Sequence, residues 1–519
     1  MKMKKIISFL MAIGLCFSVT ACQPSQTTTP QDNGQRVLTE EEIAQIADKI
    51  PDYSSKNHQF TVFGYSSVSD GTWSEGDDTF FLGENMISKE RIQEYKDAGM
   101  TILHPQSYCN LNVNTGDGFD FDTSTLKQIM DWSEEVGLAG VVVSDYRITG
   151  MCGQIGEGLT YETEEQIDAQ LLAYMSPYMH HPAFYGVQLP DEPNSSVMQA
   201  YGILYKAVKR ICPDAYIMHN FFPPTGGSET KVFPAVTEEE IAVYEGNGGL
   251  KTRMAAFDKY FAQFLDYSGA DYIMYDQYPL ASDGVHSAYL AGLQTAAKVA
   301  KRYGVEFHFV SQTSTLVGGG NMRIMSEEDL RWLNNTQLGF GVDEISYFTY
   351  HARSTTKLET WLDDASFINH FGEKTAIYYA MQKIIAENQK FAPVIRSFDW
   401  NACATFTAAM TLFNNQHALY VDCQPLAKIS KVDVNKESVL VSELLDSENN
   451  RYMYMIQNVI DPQYKGSTTW QTTTVTFNEA YAYAAVYKNG ERQIVKLKDN
   501  TYTVTQHPGE AVYVIPFNA

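Results

Sequence analysis

Between about residue 60 and residue 350 the chain repeats one pattern. A short run of β-branched and aromatic residues is followed by a longer stretch with apolar residues at helical spacing. Eight runs occur: Phe60–Ser66, Met100–His104, Ala139–Asp145, Phe184–Leu189, Ala215–Asn220, Asp271–Asp276, Glu306–Gln312 and Val342–Tyr350. Helical periods separate them, at Ser88–Ala98, Thr123–Val136, Glu164–Tyr178, Ser196–Ile211, Arg253–Tyr267, Tyr289–Tyr303 and Glu327–Leu338. Parallel neighbours cannot be joined by a tight hairpin, and a helix crossing back over the sheet supplies the connection. Eight strands, each followed by a helix, is the arithmetic of an α/β fold closed into a (β/α)8 TIM barrel. An open doubly wound sheet is the alternative, and it needs a glycine-rich phosphate turn after its first strand. Gly64-Tyr65-Ser66-Ser67 is not one, and Gly318-Gly319-Gly320 after the seventh run lacks the spacing.

A last helical stretch, Thr375–Asn388, closes this region, and beyond Pro393 the period changes to two. Val439–Leu445, Arg451–Ile460, Thr468–Asn478, Tyr481–Tyr487, Val495–Leu497 and Ala511–Pro516 alternate and are punctuated by Asn-Gly, Asp-Asn and Pro-Gly turns. The expectation is a catalytic barrel over 39–392 and an antiparallel β-sandwich over 393–519.

A barrel of this kind carries its chemistry where the strands end. The polar residues at those ends are His104, Asp145, Asp191-Glu192, His219-Asn220, Asp276-Gln277-Tyr278, Ser311-Gln312 and Tyr350-His351. Any one of them is ordinarily a turn former or helix cap. Seven strand ends in the same register make that explanation weak for all of them together. The sharpest segment is Leu189-Pro190-Asp191-Glu192-Pro193-Asn194, an acidic pair stiffened by two prolines. Glycosidic cleavage needs such a carboxyl, kept protonated by its surroundings, to donate to the leaving oxygen. The structural alternative is an Asp capping the next helix with Glu in its first turn.

This segment resembles the strand-four Asn-Glu-Pro or Asp-Glu-Pro motif of the large retaining-glycosidase clan of TIM barrels. The resemblance covers roughly residues 56–390 and implies that Glu192 is the general acid/base. It also implies a nucleophilic Glu ending strand seven, where this chain has Gln312. An amide cannot form the glycosyl ester, so three readings stay open: Asp276 as second carboxylate, Asp145 in that role, or a nucleophile supplied by the substrate. The last resembles hexosaminidases with adjacent Asp-Glu at the same lip, in which Asp191 would orient a 2-acetamido group. The catalytic set is then Glu192, Asp191 and Asp276, with His104, Asp145, Asn220, Tyr278, Gln312 and Tyr350 as substrate-binding candidates. Trp73, Tyr108, Tyr146, Phe221, Phe222, Tyr278 and Tyr350 are candidates for a rim on which sugar faces stack. The acidic loop Ser69–Asp78 lacks EF-hand spacing, so no metal or other cofactor is expected.

The beginning of the chain reads as a targeting signal. Lys2, Lys4 and Lys5 precede the apolar run Ile6–Val19, and Val19-Thr20-Ala21-Cys22 resembles the lipobox of bacterial lipoproteins. That resemblance implies a signal over 1–22, lipidation at Cys22 and an extracytoplasmic, membrane-anchored location. Residues 23–38 are read as a flexible tether on their polar composition. A formal charge of −24 opposes nucleic acid and anionic membrane surfaces as partners, and suits neutral carbohydrate. Beyond Cys22 the cysteines are Cys109, Cys152, Cys212, Cys403 and Cys423, an odd set that excludes a fully paired disulfide scaffold. Cys109 and Cys152, in neighbouring loops, are expected near each other. From another functional class, a non-catalytic glycan-binding surface lipoprotein remains the alternative, since the strand-seven Glu is missing.

Overall fold

The computed structural model describes residues 35–519, apart from 66, 76–77, 82, 106–110, 116–117, 159–160, 225–228, 245–247, 287, 316–321, 353–365, 407–418, 436–437 and 465–469. Seven of the eight runs form strands: Thr61–Gly64, Val141–Val143, Phe184–Gln188, Tyr216–Met218, Tyr272–Asp276, Glu306–Gln312 and Glu344–Phe348. The second run is held on both sides, by Thr101 N–H donating to Val62 O (2.8 Å) and Leu103 N–H donating to Gly140 O (2.8 Å). Val141–Val143, Phe184–Gln188 and Tyr216–Met218 then pair in parallel. Just beyond Met218, Phe221 bridges in parallel to Tyr275 of the sixth strand. The sixth, seventh and eighth strands follow in parallel, and the eighth pairs with the first. The sequence of parallel pairings therefore returns to its start.

Alternation along these strands sorts the side chains. Phe63, Tyr65, Ile102, Val142, Met218, Tyr272, Met274 and Val310 form one buried cluster on the inner side. Their neighbours in sequence, among them Val62, Leu103, Val141, Val143, Ile217 and Phe309, join the much larger core beneath the helices. The fourth and fifth strands approach so closely that a Cβ on Gly186 would lie 1.8 Å from Tyr216 O.

The C-terminal region forms two antiparallel sheets. Seven strands run in the order Arg36–Val37, Glu491–Lys496, Tyr483–Lys488, Ala511–Phe517, Arg451–Asn458, Val439–Asp446 and Asp399–Phe406; three more are Ile429–Val434, Gln471–Phe477 and Thr501–Gln506. Val441, Ile456 and Val514 face Val475, Phe477 and Tyr502 in one core. Leu440, Met455 and Ile515, one residue out of phase, join the core that contains Trp332 and Leu333 of helix Glu327–Gly339. The larger sheet is thus buried on both faces, which explains its near-continuous apolar strands.

Three readings of the sequence are corrected. Arg36–Val37 is an edge strand paired with Val495 and Lys496, and Leu38 is buried, so the stretch read as tether over 23–38 includes ordered residues from Gln35 onward. Two residues are too few to display a period. The final helix runs from Ala376 to Ile395 with Pro393 inside its last turns, and the first strand of the sheets begins only at Asp399. The helix Tyr146–Glu157 was hidden by Gly150, Gly153 and Gly156. Among the described residues no helix is long and apolar enough to cross a membrane.

Replacing Gly186 by Ala is expected to destabilise the protein by about 3 kcal/mol or more in urea unfolding, because the clash is with backbone. Gly150→Ala, where nothing lies within 4 Å of the added carbon, is expected to stabilise by about 0.5–1 kcal/mol. Equal, small effects at both positions would contradict this packing.

Candidate active site

The fourth strand ends at Gln188 and passes directly into Leu189-Pro190-Asp191-Glu192-Pro193. The two prolines cannot donate, so neighbours hold this turn through its other groups. Leu189 N–H donates to Met218 O (2.9 Å) and Glu192 N–H to Asn220 O (2.8 Å). The Tyr201 hydroxyl donates to Pro190 O (3.2 Å) and the Tyr260 hydroxyl to Pro193 O. Held this way, Glu192 takes φ 45°, a left-handed conformation that a side-chain-bearing residue seldom adopts.

Three strand ends meet at this turn. Asp276, ending the sixth strand, is 5% exposed and leaves Oδ1 without a hydrogen-bond partner. Asn220 donates from Nδ2 to Asp191 Oδ1 (3.1 Å). Glu192 lies close enough to Asp276 and Asp191 to feel the charge of both. Asp191 is open to solvent although protein surrounds it, as expected for a group on the floor of a mouth. The Tyr65 hydroxyl, buried and unpartnered, feels the charges of all three.

Crowding sets the protonation order. Burial raises Glu192 far above the usual carboxylate range, and the charges of Asp276 and Asp191 and the hydrogen bond with Asp276 push it higher. Burial and the Asp191 charge also raise Asp276, but the Tyr278 hydroxyl and the Asn220 amide favour its anion. Asp191 is pushed up to about 6 by burial, against the Asn220 hydrogen bond. Of the three carboxyls, Glu192 is therefore the one that burial and its neighbours push furthest toward the protonated form. One neutral carboxyl beside one ionised carboxylate is the arrangement that acid–base chemistry requires.

Of the residues singled out in the sequence, Glu192, Asp191, Asp276, Asn220 and Tyr278 come together. Tyr278 stacks on Phe348 (5.4 Å, 21°) and reaches Asp276. His104 pairs with Gln188 (3.0 Å) and packs on Tyr65 (5.1 Å), and burial lowers it to about 4, so its imidazole is neutral. The other three serve structure. Asp145 caps helix Tyr146–Glu157, pairs with Arg147 (2.8 Å) and accepts from Tyr178 (3.2 Å), which removes it as a second carboxylate. Gln312 exchanges hydrogen bonds with Leu280 N–H (2.9 Å) and O (3.0 Å), tying the seventh strand to the loop after the sixth. Tyr350 is fully buried against Tyr95 (4.7 Å) and Phe367 (5.4 Å).

Of the proposed rim, Phe221 is core, packed on Tyr260 and Phe264, and Tyr146 meets Phe119 edge-on. Phe222 is only half-buried and packs on Phe233. The Trp73 side chain, Tyr108 and Cys109 lie outside the described residues, as does Cys22. Tyr65, Gln188, Tyr260 and Phe348 were not singled out. The first, second and fourth end or immediately follow apolar runs, which was the only signal for them. Among the described residues, no group of three or more His, Cys, Asp or Glu is placed to hold a metal ion.

Asp461, in the loop after strand Arg451–Asn458, links the C-terminal region to this part of the chain. Asp461, 1% exposed, pairs with Arg323 (2.6 Å), which also pairs with Asp329 (2.5 Å) and donates to Ala281 O (3.1 Å). Ala281 belongs to the small hairpin Leu280–Ala281/Gly284–Val285, which follows Asp276 and Tyr278 directly.

No protein-family model matches this chain, and no curated protein does. Solved structures similar to it include glycoside hydrolases. A family 39 glycoside hydrolase from Bacteroides cellulosilyticus is 10% identical, with 90% of this chain and 83% of that chain covered and a TM-score of 0.45. A family 5 glycoside hydrolase from Bacteroides vulgatus is 10% identical, with 89% of each chain covered and a TM-score of 0.47. An α-amylase from Geobacillus thermoleovorans is 12% identical, with 88% and 98% covered and a TM-score of 0.47.

The left-handed backbone at Glu192 carries a testable cost. Glu192→Gly is expected to stabilise the protein by about 1 kcal/mol in urea unfolding at pH 7, through relieved strain and the removal of one crowded carboxyl. Unchanged or lower stability would mean that this turn is relaxed.

Proposed function

We propose that this chain is a glycoside hydrolase whose cycle of parallel strands is a (β/α)8 barrel, with Glu192 as general acid/base and Asp276 as the second carboxylate. The observation that carries this reading is the grouping of the largely buried carboxyls of Glu192 and Asp276 at the ends of the fourth and sixth strands, with Asp191 beside them. Neutral Glu192 donates to the glycosidic oxygen as the C–O bond breaks, and ionised Asp276 meets the developing positive charge at the anomeric carbon. Glu192, now ionised, then takes a proton from a water whose oxygen bonds to the anomeric carbon as the glycosyl–Asp276 bond breaks and Asp276 leaves as carboxylate. Asp276 is assigned as nucleophile of a retaining reaction, an assignment that a carboxyl separation of about 5–5.5 Å would support and one of about 6.5–9.5 Å would overturn. If the substrate instead supplies the nucleophile from a 2-acetamido group, Asp191 becomes the residue whose loss is most costly. The chain is further proposed to be secreted and anchored outside the cytoplasm through a lipid on Cys22, on the strength of the lipobox-like Val19-Thr20-Ala21-Cys22. Its proposed partners are carbohydrate and, through the anchor, the membrane.

Glu192→Gln is expected to lower turnover about 10²–10⁴-fold while leaving sugar binding nearly unchanged. Turnover should recover substantially on a nitrophenyl glycoside, whose leaving group needs little protonation. Asp276→Asn should stay slow on both substrates. Equal loss by Glu192→Gln on both leaving groups would remove it from the acid role. Sugar binding without turnover of any glycoside by the unmutated protein would favour a glycan-binding lipoprotein.

Activity requires ionised Asp276 and protonated Glu192, and both carboxyls are raised. The rate should therefore fall as acid protonates Asp276 and as alkali deprotonates Glu192, giving a bell displaced upward from ordinary carboxylate values. Its two apparent constants belong to the pair. A profile that is flat from pH 4 to neutrality, on the order of three units, would contradict the raised Asp276.

A further inference from the structure

Asn220 touches all three acidic residues of the mouth. Its backbone carbonyl accepts from Glu192 N–H (2.8 Å), its Nδ2 donates to Asp191 Oδ1 (3.1 Å), and its amide faces Asp276. It is 4% exposed, and its Oδ1 has no partner in the protein. The fifth strand thus contributes one neutral side chain to a site whose ionisable groups come from the fourth and sixth.

We propose that Asn220 is a positioning residue that decides which carboxyl in the mouth carries the proton, by donating to Asp191, facing Asp276, and offering Glu192 only a backbone carbonyl. The chemistry is asymmetric. An amide N–H stabilises a carboxylate and not a carboxylic acid, so it lowers the proton affinity of the two aspartates it faces. Glu192 receives no such donor from this side chain. The remaining groups around the trio are phenols, Tyr65 from the first strand, Tyr201 and Tyr260 from the neighbouring helices, and Tyr275 and Tyr278 from the sixth strand and its loop. All of these are neutral throughout the working range. Among the described residues, the influences on Asp191 and Glu192 are burial, Asp276, Asp191 and Asn220, and none is a cation. Of these, the amide of Asn220 is the neutral donor that breaks the near-symmetry of the trio. This assigns Asn220 a role beyond the sugar contact that its strand-end position suggests. Its catalytic consequence rests on the glycosidase reading, but the proton distribution does not.

The test is therefore read without substrate. Difference infrared spectra of the full chain, recorded from pH 4 to 10, report protonated carboxyl stretches. In the unmutated protein the mouth should show one at neutral pH, removed by Glu192→Gln. In Asn220→Ala, and in the similarly sized Asn220→Leu should the cavity left by alanine impair folding, a second protonated carboxyl should persist at neutral pH. The midpoint at which it ionises should lie about one pH unit higher than in the unmutated protein. If the protein turns over glycosides, the acid limb of its rate profile should move by the same amount, with KM changed less than about threefold. Unchanged carboxyl titration in both folded variants would overturn the proposal. A shifted titration in a protein that hydrolyses no glycoside would uphold the proposal and reject the glycosidase reading.

Discussion

Two buried carboxyl groups close enough to feel each other's charge repel unless one of them holds a proton, and a third beside them sharpens the conflict. That constraint organises the rest of this structure. Glu192, Asp191 and Asp276 come from two strands separated by the fifth, and each is attached to backbone that cannot retreat. The turn at 189–193 is held by hydrogen bonds from Tyr201 and Tyr260 and by donations to Met218 O and Asn220 O, and it keeps Glu192 in the left-handed region. Asp276 ends a strand paired in parallel along its length with Glu306–Gln312. Such crowding destabilises the fold, and strain of this kind persists where surrounding structure over-determines it.

The supporting structure extends beyond the ring of strands. Gln312 occupies the position at which the resemblance implies a nucleophile, and it spends both ends of its amide on the backbone of Leu280. A charged Glu there could accept from Leu280 N–H but could not donate to Leu280 O. Gln312 thus ties the seventh strand to the loop that follows Asp276, and under the proposed reading the second carboxylate comes from the sixth strand. Arg323 and Asp461 brace the same loop from the C-terminal sheets. This gives those sheets a mechanical part in the site alongside their packing against helix Glu327–Gly339.

The strand and helix runs were legible in the sequence because each is long enough to show a period. The core strands were read to within a few residues; of the four residues expected to converge, Glu192, Asp191 and Asp276 lie near one another, whereas Gln312 is spent on the backbone of Leu280. What escaped depended on geometry that no local pattern records. Asp145 and Asp276 both end apolar runs, yet one caps a helix and pairs with Arg147 while the other is left facing the mouth. Tyr350 lies at a strand end but is fully buried against Tyr95, whereas Tyr65, passed over, looks toward the carboxyls. Arg36–Val37 joins a sheet whose other strands lie more than 350 residues away in the chain, and a two-residue strand carries no pattern of its own.

The central claim is that Glu192 and Asp276 act as a pair on a glycosidic bond, and azide rescue tests it most directly. Asp276→Gly, given an aryl glycoside that the unmutated protein hydrolyses, should be almost inactive alone. Added azide should restore release of the aryl group and yield a glycosyl azide of anomeric configuration opposite to that of the substrate. Azide would then occupy the space of the missing carboxylate, with Glu192 still able to protonate the leaving oxygen. If Asp276→Gly retains full turnover, or azide restores nothing while the folded protein still binds the glycoside, Asp276 does not face the anomeric carbon and the pairing is wrong.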